Sequence, residues 1–292
     1  LMFLSERGQT QLALSGFLPF LLVIDNSSVG ILMEDQVLRF ERRGSVGLLT
    51  LNRPQVLNAI NEPMIDAILE KFEEIEDDGE LGSAVIEGAG KAFCSGHDLK
   101  EILQAKPLER RHLFTRSIKV YEDITKMSKP VIAAVHGYTV AAGCGLVAAC
   151  DMVVASEDAV FQTPGVNIGM FCLTPMIPLQ RSVGRKKAME MLITGDPIDS
   201  AEAEKLGLVN KVVPKGKHVE AAVELAEKIA GKSRVAYRIG KPAFYMLGDM
   251  EYLKALHYAK DLITLASTAE DAEEGIRAVL EKRTPRWRNR WC

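Results

Sequence analysis

The sequence predicts an α/β fold with parallel strands, followed by an all-helical tail. Three observations predict it. Short apolar runs of strand type alternate with helical periods from Val37 to Val213. After Pro214 only helical periods follow, four of them, with no strand between. The 292 residues are 47% hydrophobic and 26% charged, the composition of a globular protein long enough to bury a sizeable core.

In chain order, Val37, Phe40 and then Val46 to Leu51 read as two strands around an Arg43-Gly44 turn, and Asn52-Arg53-Pro54 breaks the second. Asn61 is placed to cap a helix with Pro63 in its first turn. Met64, Ile65, Ile68, Leu69, Phe72 and Ile75 fall on one face of it. Ala84 to Ile86, Val131 to Val135 and Met152 to Ala155 read as buried strands. Arg110 to Met127 and Val140 to Ala149 read as the helices between them. Lys186 to Thr194 is helical, Ser200 caps a short helix that Gly207 ends, and Leu208 to Val213 is a last strand. The tail helices run over Val219 to Ile229, Val235 to Leu247, Glu251 to Ala266 and Ala269 to Lys282. There is no internal repeat of 20 to 50 residues and no low-complexity tract. Three segments follow: an extension at 1–32, an α/β body at 33–215 and a helical module at 216–292.

The extension stands apart. Leu12 to Ile24 is mostly apolar but interrupted by Gly16 and Pro19, and is shorter than the roughly 20 residues that span a bilayer. It has the flanks of neither a signal peptide nor an anchor, and Met33 precedes the first convincing strand. Residues 1–32 are therefore expected to lie outside the fold, as a start-site artefact. A net charge of -3 argues against nucleic acid as a partner, and Arg286 to Arg290 reads as a solvated basic tail. The cysteines, Cys94, Cys144, Cys150, Cys172 and Cys292, are odd in number and scattered, which favours free thiols in a reducing, cytoplasmic setting. The histidines show no metal-binding spacing. No metal and no membrane partner are expected.

Two segments carry chemistry. In Gly88-Ala89-Gly90-Lys91-Ala92-Phe93-Cys94-Ser95-Gly96-His97-Asp98-Leu99-Lys100-Glu101, a strand enters a glycine-rich loop whose N–H groups can meet an anion, with Lys91 and Lys100 beside it. A plain surface loop is the alternative. From Lys129 to Gly145, a buried strand turns into a helix whose first turn is mostly small residues. Its N-terminal N–H groups can stabilise an oxyanion, or its small residues can serve close packing. Gly143-Cys144-Gly145-Leu146-Val147-Ala148 also fits a dinucleotide fingerprint. Its first glycine lies eight residues past Val135, however, not at the strand's end.

Taken together these segments resemble the crotonase (enoyl-CoA hydratase/isomerase) family. Ala92 to Lys100 resembles its A-F-x-x-G-x-D-[IL]-K signature, and Lys129 to Asp151 its K-P-V-I-A-A partner motif. Leu51-Asn52-Arg53-Pro54 and Met191 to Val213 match two further family segments. The resemblance covers roughly residues 36 to 286. The Ala-Ala-Gly-Cys and Thr163-Pro164-Gly165-Val166-Asn167 stretches look most like the branch called enoyl-CoA hydratase domain-containing protein 3. The resemblance implies a crotonase-like ββα spiral core and a C-terminal helical trimerisation module, giving a homotrimer or dimer of trimers. It implies an acyl-CoA or enoyl-CoA thioester as partner, with no cofactor beyond the coenzyme A of the substrate. It implies an oxyanion hole made by the backbone N–H groups of His97 and Ala142, and coenzyme A contacts from Lys91, Lys100 and Lys282.

The sequence departs from the family at its acid and base. A family hydratase uses two glutamates, one to donate a proton and one to position water. The matching positions are Gly145 and Gly165, so ordinary hydration is not expected. A third position, where some relatives place a carboxylate, is Cys172. It would act as nucleophile or proton carrier only if its pKa fell from about 8.5, and is otherwise a small lining residue. The His97 ring is a further candidate base. Two classes of function follow: an enzyme on CoA thioesters with a non-standard acid and base, or a catalytically weak acyl-CoA binding protein.

Overall fold

The computed structural model describes residues 36–289, so the expected extension at 1–32 lies outside them. The first strands, β1 (Leu38–Arg43) and β2 (Val46–Leu51), form an antiparallel hairpin. α1 (Glu62–Asp77) follows, and the Asn61 side chain accepts a hydrogen bond from the Met64 N–H, as its position predicts. A pattern then recurs: a long strand, a three-residue strand, then helix. β3 (Ser83–Gly88) leads to β4 (Ala92–Cys94), α2 (Leu99–Gln104) and α3 (Pro107–Lys126). β5 (Val131–Val135) leads to β6 (Tyr138–Val140) and α4 (Ala142–Ala149). β7 (Met152–Ser156) leads to β8 (Val160–Gln162), a 3-10 turn at Pro164–Ile168, α5 (Leu173–Val183) and α6 (Arg185–Thr194).

The long strands and the three-residue β10 stack as one sheet in the order β1-β2-β3-β5-β7-β10, parallel from β2 onward. β10 (Lys211–Val213) closes it. The short strands stack as a second sheet, β4-β6-β8-β9, with β9 (Ile198–Asp199) antiparallel to β8. Val140 is therefore strand where helix is expected, and β4, β8 and the rest of β6 have no counterpart in the reading of the sequence. A three-residue strand has too few positions to show a period, and only its neighbour in the spiral defines it.

The central strands of the first sheet are buried on both faces, which explains why Val131 to Val135 reads as an unbroken apolar run. Leu49, Ile86, Ala133 and Ala155 face the main core, shared with α1 and α4. Leu48, Val85, Ile132 and Val154 face the other way and meet Ala222 and Ala226 of α8 (His218–Ala230). α8, assigned from sequence to the C-terminal module, thus covers the outer face of the sheet. α7 (Ser200–Leu206) is capped by Asp199, whose side chain accepts from the Glu202 N–H, rather than by Ser200.

The remaining helices are α9 (Arg234–Gly248), α10 (Tyr252–Ala266) and α11 (Glu270–Leu280). α9 is tied to the body by a buried ion pair, Lys241 Nζ to Asp151 Oδ2 at 2.8 Å. Tyr245 donates to Asp151 Oδ1 at 2.8 Å, and the Val131 N–H donates to Oδ2 at 2.7 Å. α10 buries no side chain and exposes Leu253, Leu256, Ile263 and Leu265. No helix of the described residues is long and apolar enough to cross a membrane.

Candidate active site

Two segments converge on a cavity of about 350 Å³. The first is the loop after β4. The Ile60 N–H donates to Gly96 O at 2.7 Å and the Asp98 N–H to Ile60 O at 2.8 Å. In such a parallel bridge the flanking residues bond to Ile60, so the N–H of His97 itself points away from it. Arg53 fixes the loop from behind, donating to Ala59 O at 2.6 Å and to Asp98 Oδ2 at 3.0 Å. Burial pushes the Asp98 carboxyl up, but Arg53 and the Lys100 N–H outweigh it and hold the group below its usual range.

The second segment is the N-terminus of α4. Its first N–H groups have no partner within the helix, and Ala141 at the cap position offers no side-chain hydrogen bond. Ala141 adopts φ 49 and ψ -114, a conformation an alanine rarely takes. It is anchored there by its own N–H, which donates to Gln162 O at 2.9 Å. Gly96, at φ +95, lets the two segments meet. A β-carbon there would lie 3.0 Å from Ala141 Cβ and 3.3 Å from Ala142 N. Gly143 allows α4 to rest directly on β4, since a β-carbon would fall 2.5 Å from Cys94 O.

His97, Ala142, Gly165 and Cys172 all line this cavity. Apolar walls come from Phe114, Phe171, Leu99, Ile102 and Leu173. Among the described residues, those lining it include no carboxylate, lysine or arginine. The His97 ring is held with Nε2 2.8 Å from Ser117 Oγ and in a T-shaped contact with Phe114. Burial lowers its pKa to about 4, so the ring is neutral near pH 7. Cys172 is 8% exposed, and burial raises its pKa. The condition for a reactive thiolate, a lowered pKa, is not met; the thiol stays protonated and lines the cavity wall.

The two positions where glutamate is expected are closed as well as empty of side chain. A β-carbon on Gly145 would stand 2.6 Å from the Tyr121 hydroxyl and 2.9 Å from Pro175 Cα. One on Gly165 would stand 2.6 Å from Met170 O and 2.9 Å from Cys172 Sγ. Gly145 itself lies one turn inside α4 and does not line the cavity. Tyr121 donates to Ala142 O at 3.0 Å, so its hydroxyl is held over the helix start. Nothing in the local sequence marks Tyr121 or Pro175, because each acts through packing between helices. Lys91 and Lys100 are exposed and flank the loop without lining the cavity, and Lys282 is exposed after the end of α11. Among the described residues no cluster of three histidines, cysteines or carboxylates is placed to hold a metal.

The family profile described as enoyl-CoA hydratase/isomerase matches residues 41–290. A relative from Dictyostelium discoideum, "Probable enoyl-CoA hydratase, mitochondrial", is 36% identical over 86% of this chain and 90% of its own. "Enoyl-CoA hydratase domain-containing protein 3, mitochondrial" from Homo sapiens is 39% identical over 82% of this chain and 79% of its own. Among solved structures, an enoyl-CoA hydratase of Mycobacterium smegmatis superposes with a TM-score of 0.83 at 41% identity, covering 86% of this chain and 98% of the other. The human domain-containing protein 3 superposes with a TM-score of 0.83 at 36% identity, covering 86% and 100%.

Proposed function

The chain belongs to the enoyl-CoA hydratase/isomerase (crotonase) family, and from that premise we propose that it binds an acyl-CoA thioester whose carbonyl oxygen accepts hydrogen bonds from the His97 and Ala142 N–H groups. Such donors hold negative charge as the thioester becomes enolate-like, and they need no ionisable side chain. The carrying observation is one cavity lined by both His97 and Ala142, with no carboxylate in its lining among the described residues. On this reading Gly145 and Gly165 stand where family hydratases carry glutamates, and ordinary hydration is absent. The catalytically weak acyl-CoA binder gains support from the protonated Cys172 and from the hydrogen bond that holds His97 Nε2 against Ser117 Oγ.

Lys91 and Lys100, and Lys282 from the end of the helical tail, are the proposed contacts to the phosphates of coenzyme A, and no resident cofactor is needed. The apolar face of α10 supports assembly as a trimer or dimer of trimers, and a monomer mass by light scattering would refute it. In place of the cytoplasmic expectation a mitochondrial placement is proposed, supported by relatives whose names carry "mitochondrial". Cell fractionation against matrix markers tests it.

The deciding experiment measures crotonyl-CoA hydration beside a buffer blank and an ordinary family hydratase, with calorimetric binding of a saturated acyl-CoA in parallel. The expected result is binding with hydration near the blank. Hydration near the control rate overturns the reading, as does the absence of binding.

A further inference from the structure

Ala142, whose N–H is one of the two proposed donors, opens α4 behind a strained residue. Ala141 is held at φ 49 and ψ -114, and such a conformation persists only where its surroundings over-determine it. Backbone bonds supply part of that restraint. The Ala141 N–H donates to Gln162 O at 2.9 Å, and Ala141 O accepts from the Gly145 N–H at 3.0 Å. The remaining restraint comes from a side chain on α3. The Tyr121 hydroxyl donates to Ala142 O at 3.0 Å. In a helix that carbonyl also accepts from the N–H four residues on, so the hydroxyl takes its second lone pair. Burial pushes the phenol above its usual range, and the hydroxyl therefore keeps its proton and stays a donor. Its reach depends on residue 145. A β-carbon on Gly145 would stand 2.6 Å from the hydroxyl, so a side chain there would compete for the same place. Tyr121 does not line the first cavity and acts only through Ala142.

We infer that Tyr121 is a positioning residue for the oxyanion donor: with glycine at 145 leaving it room, its hydroxyl holds Ala142 so that the Ala142 N–H stays aimed at a bound thioester carbonyl. The inference rests on the proposed thioester reading and adds to it a residue outside both segments that carry the chemistry. Aim matters because a hydrogen bond weakens steeply as its angle closes. Donors fixed beforehand also stabilise developing charge without reorganising when it forms. On this reading the glycine at 145 has a use of its own. It gives up a carboxylate and admits the tyrosine that steadies the helix start.

The test is the infrared carbonyl band of butanoyl-CoA, isotopically labelled at its carbonyl, bound to the full chain and to two variants. Tyr121→Phe removes the hydroxyl and keeps the ring. Ile75→Val is a core change on α1, away from the cavity lining, and controls for loss of stability alone. In the parent the band is expected to fall below its frequency in free butanoyl-CoA, as hydrogen bonds to the oxygen weaken the carbonyl bond. In Tyr121→Phe it is expected to move back toward the free frequency, with affinity lower by about three- to ten-fold. In Ile75→Val the band is expected to stay at the parent frequency. A Tyr121→Phe band identical to the parent's overturns the inference and leaves the thioester site standing, as does an equal movement in Ile75→Val. No binding by the parent, or a bound carbonyl at the free frequency, overturns the thioester reading and the inference with it.

Discussion

The Tyr121 hydroxyl stands 2.6 Å from the point where a β-carbon on Gly145 would lie, closer than any real side chain tolerates. The same hydroxyl donates to Ala142 O at 3.0 Å, so it is anchored and does not swing aside without losing that bond. The helix that carries one of the proposed oxyanion donors is thus packed against a tyrosine at a position where the family resemblance expects an acid.

Restoring glutamate is therefore expected to fail. Gly145→Glu must displace Tyr121 and also meets Pro175 Cα at 2.9 Å, which is backbone and yields little. Overpacking of this kind costs about 1–3 kcal/mol. Gly145→Glu/Gly165→Glu is expected to melt lower and to hydrate crotonyl-CoA no faster than the parent. A stable double variant with hydratase turnover would show that the two pockets are not closed.

Ala141→Gly is expected to stabilise the protein. The conformation at φ 49 and ψ -114 costs an alanine about 1–3 kcal/mol that glycine does not incur. Chemical denaturation should show the gain, less what glycine adds to the entropy of the unfolded chain. A loss of more than about 1 kcal/mol would mean that the alanine methyl packs better than its backbone suffers.

The four cysteines among the described residues are expected to resist alkylation at pH 7.5 in the native state. Cys94, Cys144, Cys150 and Cys172 are buried and free, and burial raises each thiol, Cys94 and Cys144 to about 12. Iodoacetamide labelling followed by peptide mass mapping should find them unmodified until denaturant is added. Cys172→Ala should leave acyl-CoA affinity unchanged. Rapid modification of native Cys172 would identify a reactive thiolate.

Stability is expected to fall on acidification below about pH 6.5. His97 and His218 are both lowered to about 4, by burial in each case and for His218 also by His136, whose ring centroid lies 4.7 Å away; Asp158 opposes the shift. The unfolded chain then binds more protons than the native one between the two pKa values. The stability is present above 6.5 and is lost as pH falls through 4. Denaturation midpoints at pH 7, 5.5 and 4.5 should decline, and His218→Leu should flatten part of the decline. A flat profile in the parent would contradict the burial of both rings as neutral imidazoles.

Breaking the Asp151–Lys241 pair should loosen α9. Asp151→Ala leaves the Lys241 ammonium, 7% exposed, with only Lys129 O at 2.8 Å. Removing one partner of a buried pair costs about 3–5 kcal/mol. The double variant Asp151→Ala/Lys241→Met should cost less than the sum of the single changes, and thermal melts of all four proteins measure the coupling. Strict additivity would mean that the two groups act independently.

Much of the fold was legible locally. Asn61 marked the start of α1, the unbroken run Val131 to Val135 marked a doubly covered strand, and Gly207, at φ +87, ended α7. The ordered motifs around His97 and Ala142 pointed to the family and to the two segments that line the cavity. That positions 145 and 165 carry glycine, where the resemblance expects glutamate, was equally legible in the sequence. What only the tertiary structure decided depends on groups distant along the chain. The three-residue strands exist because each turn of the spiral stacks on the one before. The burial that keeps Cys172 protonated and the His97 ring neutral is a property of the packed cavity wall. The closure of position 145 by Tyr121 and Pro175 is a fact of three helices meeting. Local chain chemistry specifies elements and donors, while the space and dielectric around them are set only when those elements pack.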